Sequence, residues 1–459
     1  MTLSRLLSDF ASGLQFAQLP AEVVSAAKLH LLDTVGTALA GHDMPYAQAM
    51  LDVVQTQGTS VEATLLATQS ARASAAWAGA YNAALSHAHD FDDTHSVTLM
   101  HISSVVAPAA IAVAESRRAS GAQTLTAIAA GYETGLRIGM AVPARLNVRG
   151  FHATSVIGVF AAAITASRLI GLDASRTMHA IGIAGSQASG LIEFLAPDGA
   201  WTKRLQPGWA VHGGIIAAQL AERGFTGPQT ILEGRFGALR SFGGVEPPSA
   251  AEFAGGLGER WETLNIAFKP YPCCHIGHAY VDCALALRSE HAIEFGDIES
   301  IELRVASGMV PILCEPRAQK ARPQTAYSSQ FSLPYMVAAA MRFGRLGVDE
   351  FAERNIRDEA LLALVARIGY VVDDGLPYPE QFPGCLKIRL RDGRVLERHR
   401  DASRGSPGSP MTEAELRDKF LANVARAIPM ERARQAWEIG MRLEQLPDLS
   451  EFNQLLARC

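Results

Sequence analysis

The sequence predicts a mostly α protein: a large all-helical domain built from both chain ends, with a smaller α+β domain inserted between them. Three observations lead there. Alanine-rich stretches with apolar residues at helical spacing fill residues 1–266, short alternating β-branched runs occupy 267–400, and helical patterning returns over 401–459. In the first part, Val23, Val24, Ala27, Leu31, Val35 and Leu39 follow a helical period that Gly41 ends. Similar segments recur near 72–87, 104–117, 123–140, 153–170, 174–189 and 209–223, and their small residues let helices approach closely, as in a bundle. IESIELRVAS (298–307) reads as a strand. Leu386, Ile388 and Leu390 alternate into Asp392-Gly393, and Val395 begins the return, a strong hairpin signal. Between these strands lies a helix that Pro334 starts or kinks, and after GSPGSP (405–410) Thr412 and Glu415 form a capping box. The two helical ends share one character, so they are read as one domain and 267–400 as an insertion.

Composition narrows the function. With 459 residues, 48% hydrophobic and 19% charged, the chain has a core to bury and is not disordered. The 40 Gly and 22 Pro show no collagen-like or low-complexity bias. A net charge of −5 without a basic run argues against nucleic acid as a partner. The apolar run Ala153–Ser167 is rich in small residues and followed by Arg168, which reads as a buried helix rather than a membrane span. The N-terminal stretch has no apolar h-region and carries Asp9, so no secretory signal is expected. Cys273, Cys274, Cys283, Cys314, Cys385 and Cys459 form no disulfide framework or iron–sulfur pattern, and a reducing cytoplasm is expected.

Four clusters hold the candidate chemistry. In HAHDFDDTH (87–95), six of nine positions are His or Asp, with His101 six residues on. Such a run suits metal ligation, acid–base work with Asp orienting His, or a polar helix end in which Asp caps amides. Lys203 and Arg204 precede a helix expected to open at Trp209, where cations and free N–H groups together make an anion site. The plainer reading is a solvated pair. FKPYPCCHIGH (268–278) carries Lys269 between prolines at the domain junction. Its Cys273-Cys274-His275-x-x-His278 run invites a zinc reading, but vicinal cysteines rarely share a structural site and no partner pair follows. His152, at the start of an apolar helix, reads by itself as a capping or core histidine.

Taken in order, HAHDFDDTH, GFHATSVIG, TKRLQPGWAVHGG, KPYPCCHIGH, AYSSQFSLPY and the GSP…PM…KF tail resemble the MmgE/PrpD family over nearly the whole chain. That family includes 2-methylcitrate dehydratase, cis-aconitate decarboxylase and iminodisuccinate epimerase. The resemblance implies a helical domain with an α+β lid, homodimerisation, and no metal or organic cofactor. It implies chemistry next to a carboxylate in a small di- or tricarboxylate, where cations must neutralise a developing enediolate.

Carried onto this sequence, Lys203 and Lys269 match the family's site lysines, and Arg204 is a possible further carboxylate clamp. His101 matches the catalytic histidine and is expected to move the proton, with Asp90 orienting or charging an imidazole and Thr94 hydrogen-bonding substrate. His152 matches the GFH histidine, a second acid–base or carboxylate contact. Cys274 stands where the decarboxylase has a histidine, as a thiol acid–base group or a small filler, and His278 matches a later lid histidine. Two further departures are Ile102 in place of the proline of His-Pro-Ser, and DFDDT where authentic 2-methylcitrate dehydratases have a DFNDT-like form. The leading expectation is dehydration of a 2-methylcitrate-like hydroxy acid, followed by epimerisation of an iminodisuccinate-like acid and decarboxylation of a cis-aconitate-type acid. A metal-dependent hydrolase and a catalytically dead binding protein are the rivals from other classes. The site is expected between the helical domain and the lid.

Overall fold

The computed structural model describes residues 1–195, 201–378 and 381–458; Cys459 lies outside the described residues. The chain divides into two compact units. The first comprises Met1–Ala88, Asp92–Ala267 and Thr412–Cys459, and the second His89–Phe91 and Phe268–Met411.

The first unit is helical. Its main helices are α1 (Leu3–Gly13), α2 (Ala21–Ala40), α3 (Pro45–Gln55), α4 (Ala75–Ser86), α5 (Ser103–Arg117), α6 (Gly121–Met140), the single turn α7 (Arg145–Val148), α8 (Ala153–Ile170), α9 (Ala174–Ala184) and α10 (Thr202–Glu222). Two short ladders accompany them: β1 (Ala63–Thr64) with β2 (Arg72–Ala73), and β3 (Thr94–His95) with β4 (Ile266–Ala267). Gly41 ends α2 as its sequence predicts. Helices α2 and α8 are long and apolar enough to cross a membrane, yet 72% and 83% of their apolar windows are buried, which marks them as core helices.

One boundary differs from expectation. Helix α10 opens at Thr202 rather than Trp209 and runs through Pro207. Pro207, the sixth residue of α10, gives up its own backbone bond to the turn before it and crowds that turn's carbonyl, and Gly208 beside it lets α10 press onto α4. A Cβ there would sit 2.5 Å from the Ala80 carbonyl oxygen. Lys203 and Arg204 therefore lie inside the helix and are buried, not in a loop before it.

The C-terminal helices close on the N-terminal ones through buried charge. Lys419, on the helix Glu413–Val424, meets Asp33 of α2 at 2.7 Å, and Lys28 donates to the Met441 carbonyl at 2.8 Å. The capping box Thr412–Glu415 starts that helix as predicted.

The second unit is α+β. Its sheet runs in the order β6 (Ile368–Val372), β5 (Ile298–Val305), β7 (Gly384–Leu390), β8 (Val395–Arg400). The pair β5–β6 is parallel and the other two are antiparallel, with β7–β8 forming the Asp392-Gly393 hairpin. Ile298, Ile301, Leu303 and Val305 bury one face of β5. The helix Leu333–Phe343 carries Pro334 in its first turn, after the Ser332 cap.

Candidate active site

The end of α4 delivers the first site residue. His87 is the cap of that alanine-rich helix, and its ring is fully buried. Its Nδ1 lies 2.7 Å from Asp92 Oδ2. The chain turns between them through Asp90, whose φ of 53° lies in the left-handed region that Asp tolerates. Thr94 and His95 then pair with Ala267 and Ile266.

His101 follows the turn before α5. Its N–H donates to Thr154 Oγ1 at 3.0 Å, and its carbonyl accepts from Ser104 Oγ at 2.7 Å. These bonds and the fully buried Ile102 hold the backbone where the family has proline. The His101 Nδ1 sits 3.4 Å from Asp92 Oδ2 and 3.5 Å from Thr94 Oγ1. The His87 and His101 rings meet edge to face at 4.7 Å.

His152 caps α8, with its N–H on the Gly190 carbonyl at 3.0 Å and its Nδ1 2.6 Å from Gln206 Oε1. Its ring stacks on His87 at 5.9 Å and meets Phe194 edge-on at 5.2 Å. The Lys203 ammonium stands 5.9 Å from the Phe194 ring centre. Arg204 donates from Nε to the Ala88 carbonyl at 3.1 Å, so it braces the turn after α4.

The electrostatics follow from burial. Desolvation, with Lys203 adding to it, pushes His87 down to about 4 against the pull of Asp92. Burial first, and then the neighbouring His87 and Lys203, hold His152 well below the ordinary imidazole range. Burial opposes the Asp92 charge, but His87 and His101 outweigh it and keep this carboxyl well below its usual range. The rings of His87 and His152 are therefore neutral near pH 7 and able to accept a proton.

Asp93, next in sequence, points into a separate network. It meets His30 Nδ1 at 2.6 Å and accepts from the Ser103 hydroxyl, which is 2.7 Å from the Tyr132 hydroxyl.

The second unit holds the remaining predicted residues. Lys269 Nζ donates to the Asp90 carbonyl at 2.8 Å and lies 3.2 Å from its carboxylate. Gly405, at φ +91°, allows Phe268 N–H to reach its carbonyl at 3.0 Å; a Cβ there would lie 2.0 Å from Phe268 O. The Cys273 thiol is buried and pushed well above its ordinary value by desolvation. Cys274 is half-buried, its N–H on the Gln330 carbonyl at 3.0 Å. His278 is fully buried, with Nε2 3.1 Å from the Cys273 carbonyl, and burial holds it well below the usual imidazole range. His278 thus braces the Cys273 backbone.

Among the described residues, the one group spaced for a metal ion is His87, Asp92 and His101. The short His87–Asp92 bond ties Nδ1 of the one to Oδ2 of the other, and the Lys203 charge opposes a cation beside them. None of the Cys273–His278 side chains joins such a group. Reading the sequence alone misses three partners, namely His87, Asp92 and Gln206. Only the density of His and Asp over 87–95 hints at the first two.

Comparison with known proteins places this geometry in a family. The MmgE/PrpD N-terminal domain matches residues 5–251 and the MmgE/PrpD C-terminal domain residues 271–445. The chain is 27% identical to the cis-aconitate decarboxylase-like protein oryM of Aspergillus oryzae, over 98% of this chain and 96% of that protein. It is 28% identical to the cis-aconitate decarboxylase of Homo sapiens, over 99% and 95% of the two chains. A 2-methylcitrate dehydratase of Cupriavidus necator is 24% identical over 68% of this chain and 66% of its own length. With both domain models matched in order along the sequence, the chain belongs to the MmgE/PrpD family of enzymes.

Proposed function

We propose that the protein is a cofactor-independent lyase that breaks a bond next to a carboxylate of a small tricarboxylate. The observation that carries this is the buried group of His87, His101 and His152 about Asp92 in the first unit, with Lys203 beside it. Relatives matched over nearly their full length favour decarboxylation of a cis-aconitate-type acid. Dehydration of a 2-methylcitrate-like acid is the second reading, favoured by the shorter dehydratase match.

The two reactions share a carbanion problem. In decarboxylation the C–C bond breaks, CO2 leaves, and the electron pair stays on carbon until a protonated imidazole quenches it. In dehydration a neutral imidazole takes the proton from carbon, and a second acid protonates the departing hydroxyl. In both, Lys203 neutralises charge on the adjacent carboxylate. His101 is the proposed proton-transfer group, Thr94 a hydrogen-bonding group and His152 the second acid–base or carboxylate contact. In the second unit, Lys269, Asp90 and Cys274 are proposed site residues on the strength of the motif match. Lys269 donates to the Asp90 carbonyl and stands within ion-pair distance of its carboxylate.

A homodimer in the cytoplasm, without nucleic-acid or membrane partners, completes the proposal. Trp201, Leu205 and Trp209 are exposed at four-residue intervals at the start of α10, an apolar stripe suited to a second copy. Light scattering on the eluting protein tests this, with a mass twice 49.0 kDa expected. The five described cysteines are free thiols, which suits a reducing compartment.

Proton NMR in D2O, with metal-free enzyme, tests the reaction on cis-aconitate, 2-methylcitrate, citrate and iminodisuccinate. Loss of cis-aconitate with CO2 release and deuterium in the product is expected. New vinyl signals from a hydroxy acid would instead establish the dehydratase. Deuterium entering substrate without net loss would overturn the lyase reading in favour of an epimerase, and silence on all four acids would overturn the substrate class. Lys203→Met is expected to abolish turnover.

A further inference from the structure

Two buried imidazoles in the first unit share one hydrogen-bonding pattern. His87 directs Nδ1 at Asp92 Oδ2 at 2.7 Å. His152 directs Nδ1 at Gln206 Oε1 at 2.6 Å. The Gln206 amide cannot be turned round, because its Nε2 donates to the Leu191 carbonyl at 2.8 Å. Its oxygen therefore faces His152 and can only accept.

A carboxylate and an amide oxygen are pure acceptors, so the hydrogen in each of these bonds sits on Nδ1. In a neutral imidazole the other nitrogen then carries the lone pair. His87 Nε2 is buried and has no hydrogen-bond partner among the described residues, as expected of an acceptor left open.

We infer that Asp92 and Gln206 are positioning residues that lock His87 and His152 in the Nδ1–H tautomer, so that both offer Nε2 as the proton-accepting atom. The opposite tautomer would place a lone pair against the Asp92 oxygen at 2.7 Å. Neither Asp92 nor Gln206 touches the reacting atoms in this scheme. Their effect on turnover rests on the lyase proposal above, whereas the tautomers themselves do not.

The test reads tautomers and kinetics separately. Protein labelled with 15N-histidine is observed by long-range 15N–1H NMR, the two rings being assigned from single His→Gln variants. Nδ1–H is expected at both positions in the wild type, and Nε2–H at either of them would overturn the inference. Asp92→Asn keeps size and shape but can turn its NH2 toward the His87 ring, which then accepts at Nδ1. His87 should switch to Nε2–H, with kcat falling about 10²–10⁴-fold and KM nearly unchanged. A kcat within threefold of wild type in Asp92→Asn would overturn the positioning role. Gln206→Glu keeps an acceptor and should keep His152 as Nδ1–H with most of the activity, while Gln206→Leu should lose both. Loss of activity in Gln206→Glu with the tautomer retained would also count against positioning. If no tricarboxylate turns over in the wild type, the lyase proposal fails while the spectra still decide the tautomers.

Discussion

Substituting His87→Gln should flatten the acid sensitivity of the first unit by a calculable amount. In the folded protein His87 is pushed down to about 4 by burial, against about 6.5 in an unfolded chain. The folded state thus binds fewer protons than the unfolded state between those values, so stability rises with pH through this window and is lost as pH falls. The linkage relation gives a loss of about 2 kcal/mol from this one ring between about pH 7 and about pH 5. Asp92 has its pKa depressed, so its contribution is lost only as pH falls below about 3.9, outside that interval. His152 moves in the same direction as His87 and adds to the wild-type loss, but it is common to both proteins. The introduced carboxamide would retain a donor for Asp92, so the difference isolates the proton. Urea unfolding followed by tryptophan fluorescence is the assay, because Trp77, Trp201, Trp209, Trp261 and Trp437 all belong to the first unit. The wild type should lose about 2 kcal/mol more than His87→Gln between the two pH values. Equal losses in the two proteins would refute the claim that His87 is buried neutral.

Three further outcomes are expected. Lys419→Met strands the buried Asp33 carboxylate and should cost about 3–5 kcal/mol in the same urea assay, much of it recovered by adding Asp33→Leu. A bound trianion should raise the pKa of His87 and His152 and draw protons into the site, so binding heats measured in buffers of different ionisation enthalpy should diverge; identical heats would argue against it. Exhaustive chelation should leave turnover unchanged, whereas activity restored by a divalent ion would reassign His87, Asp92 and His101 as ligands.

The elements readable from sequence were those whose signals are local. The Asp392-Gly393 hairpin, Pro334 in a first turn and the Thr412–Glu415 box each depend on a few adjacent residues, and each forms as read. The start of α10 was not readable in this way. Pro207 argues locally for a later opening, and what overrides it is the packing of Gly208 on a carbonyl from α4, more than a hundred residues away. The candidate site divides in the same manner. Asp90, Thr94, His101, His152, Lys203 and Lys269 stand in motifs, but nothing in a motif tells a substrate clamp from a brace. Arg204, a possible clamp by residue type, spends its Nε on the Ala88 carbonyl, and His278 on that of Cys273.

By itself the sequence determined the family, the helical character of both chain ends, the α+β middle and the residue types gathered for carboxylate chemistry. These follow from periodicity, turn residues and motif order, all written along the chain. Tertiary structure alone decided which polar groups face one another and in which protonation state. Asp92 meets two imidazoles while Asp93, its neighbour, turns to His30 and Ser103. A carboxylate's partners and a histidine's tautomer are set by what lies within about 3 Å in space, and burial multiplies the consequence by removing the water that would otherwise satisfy either state.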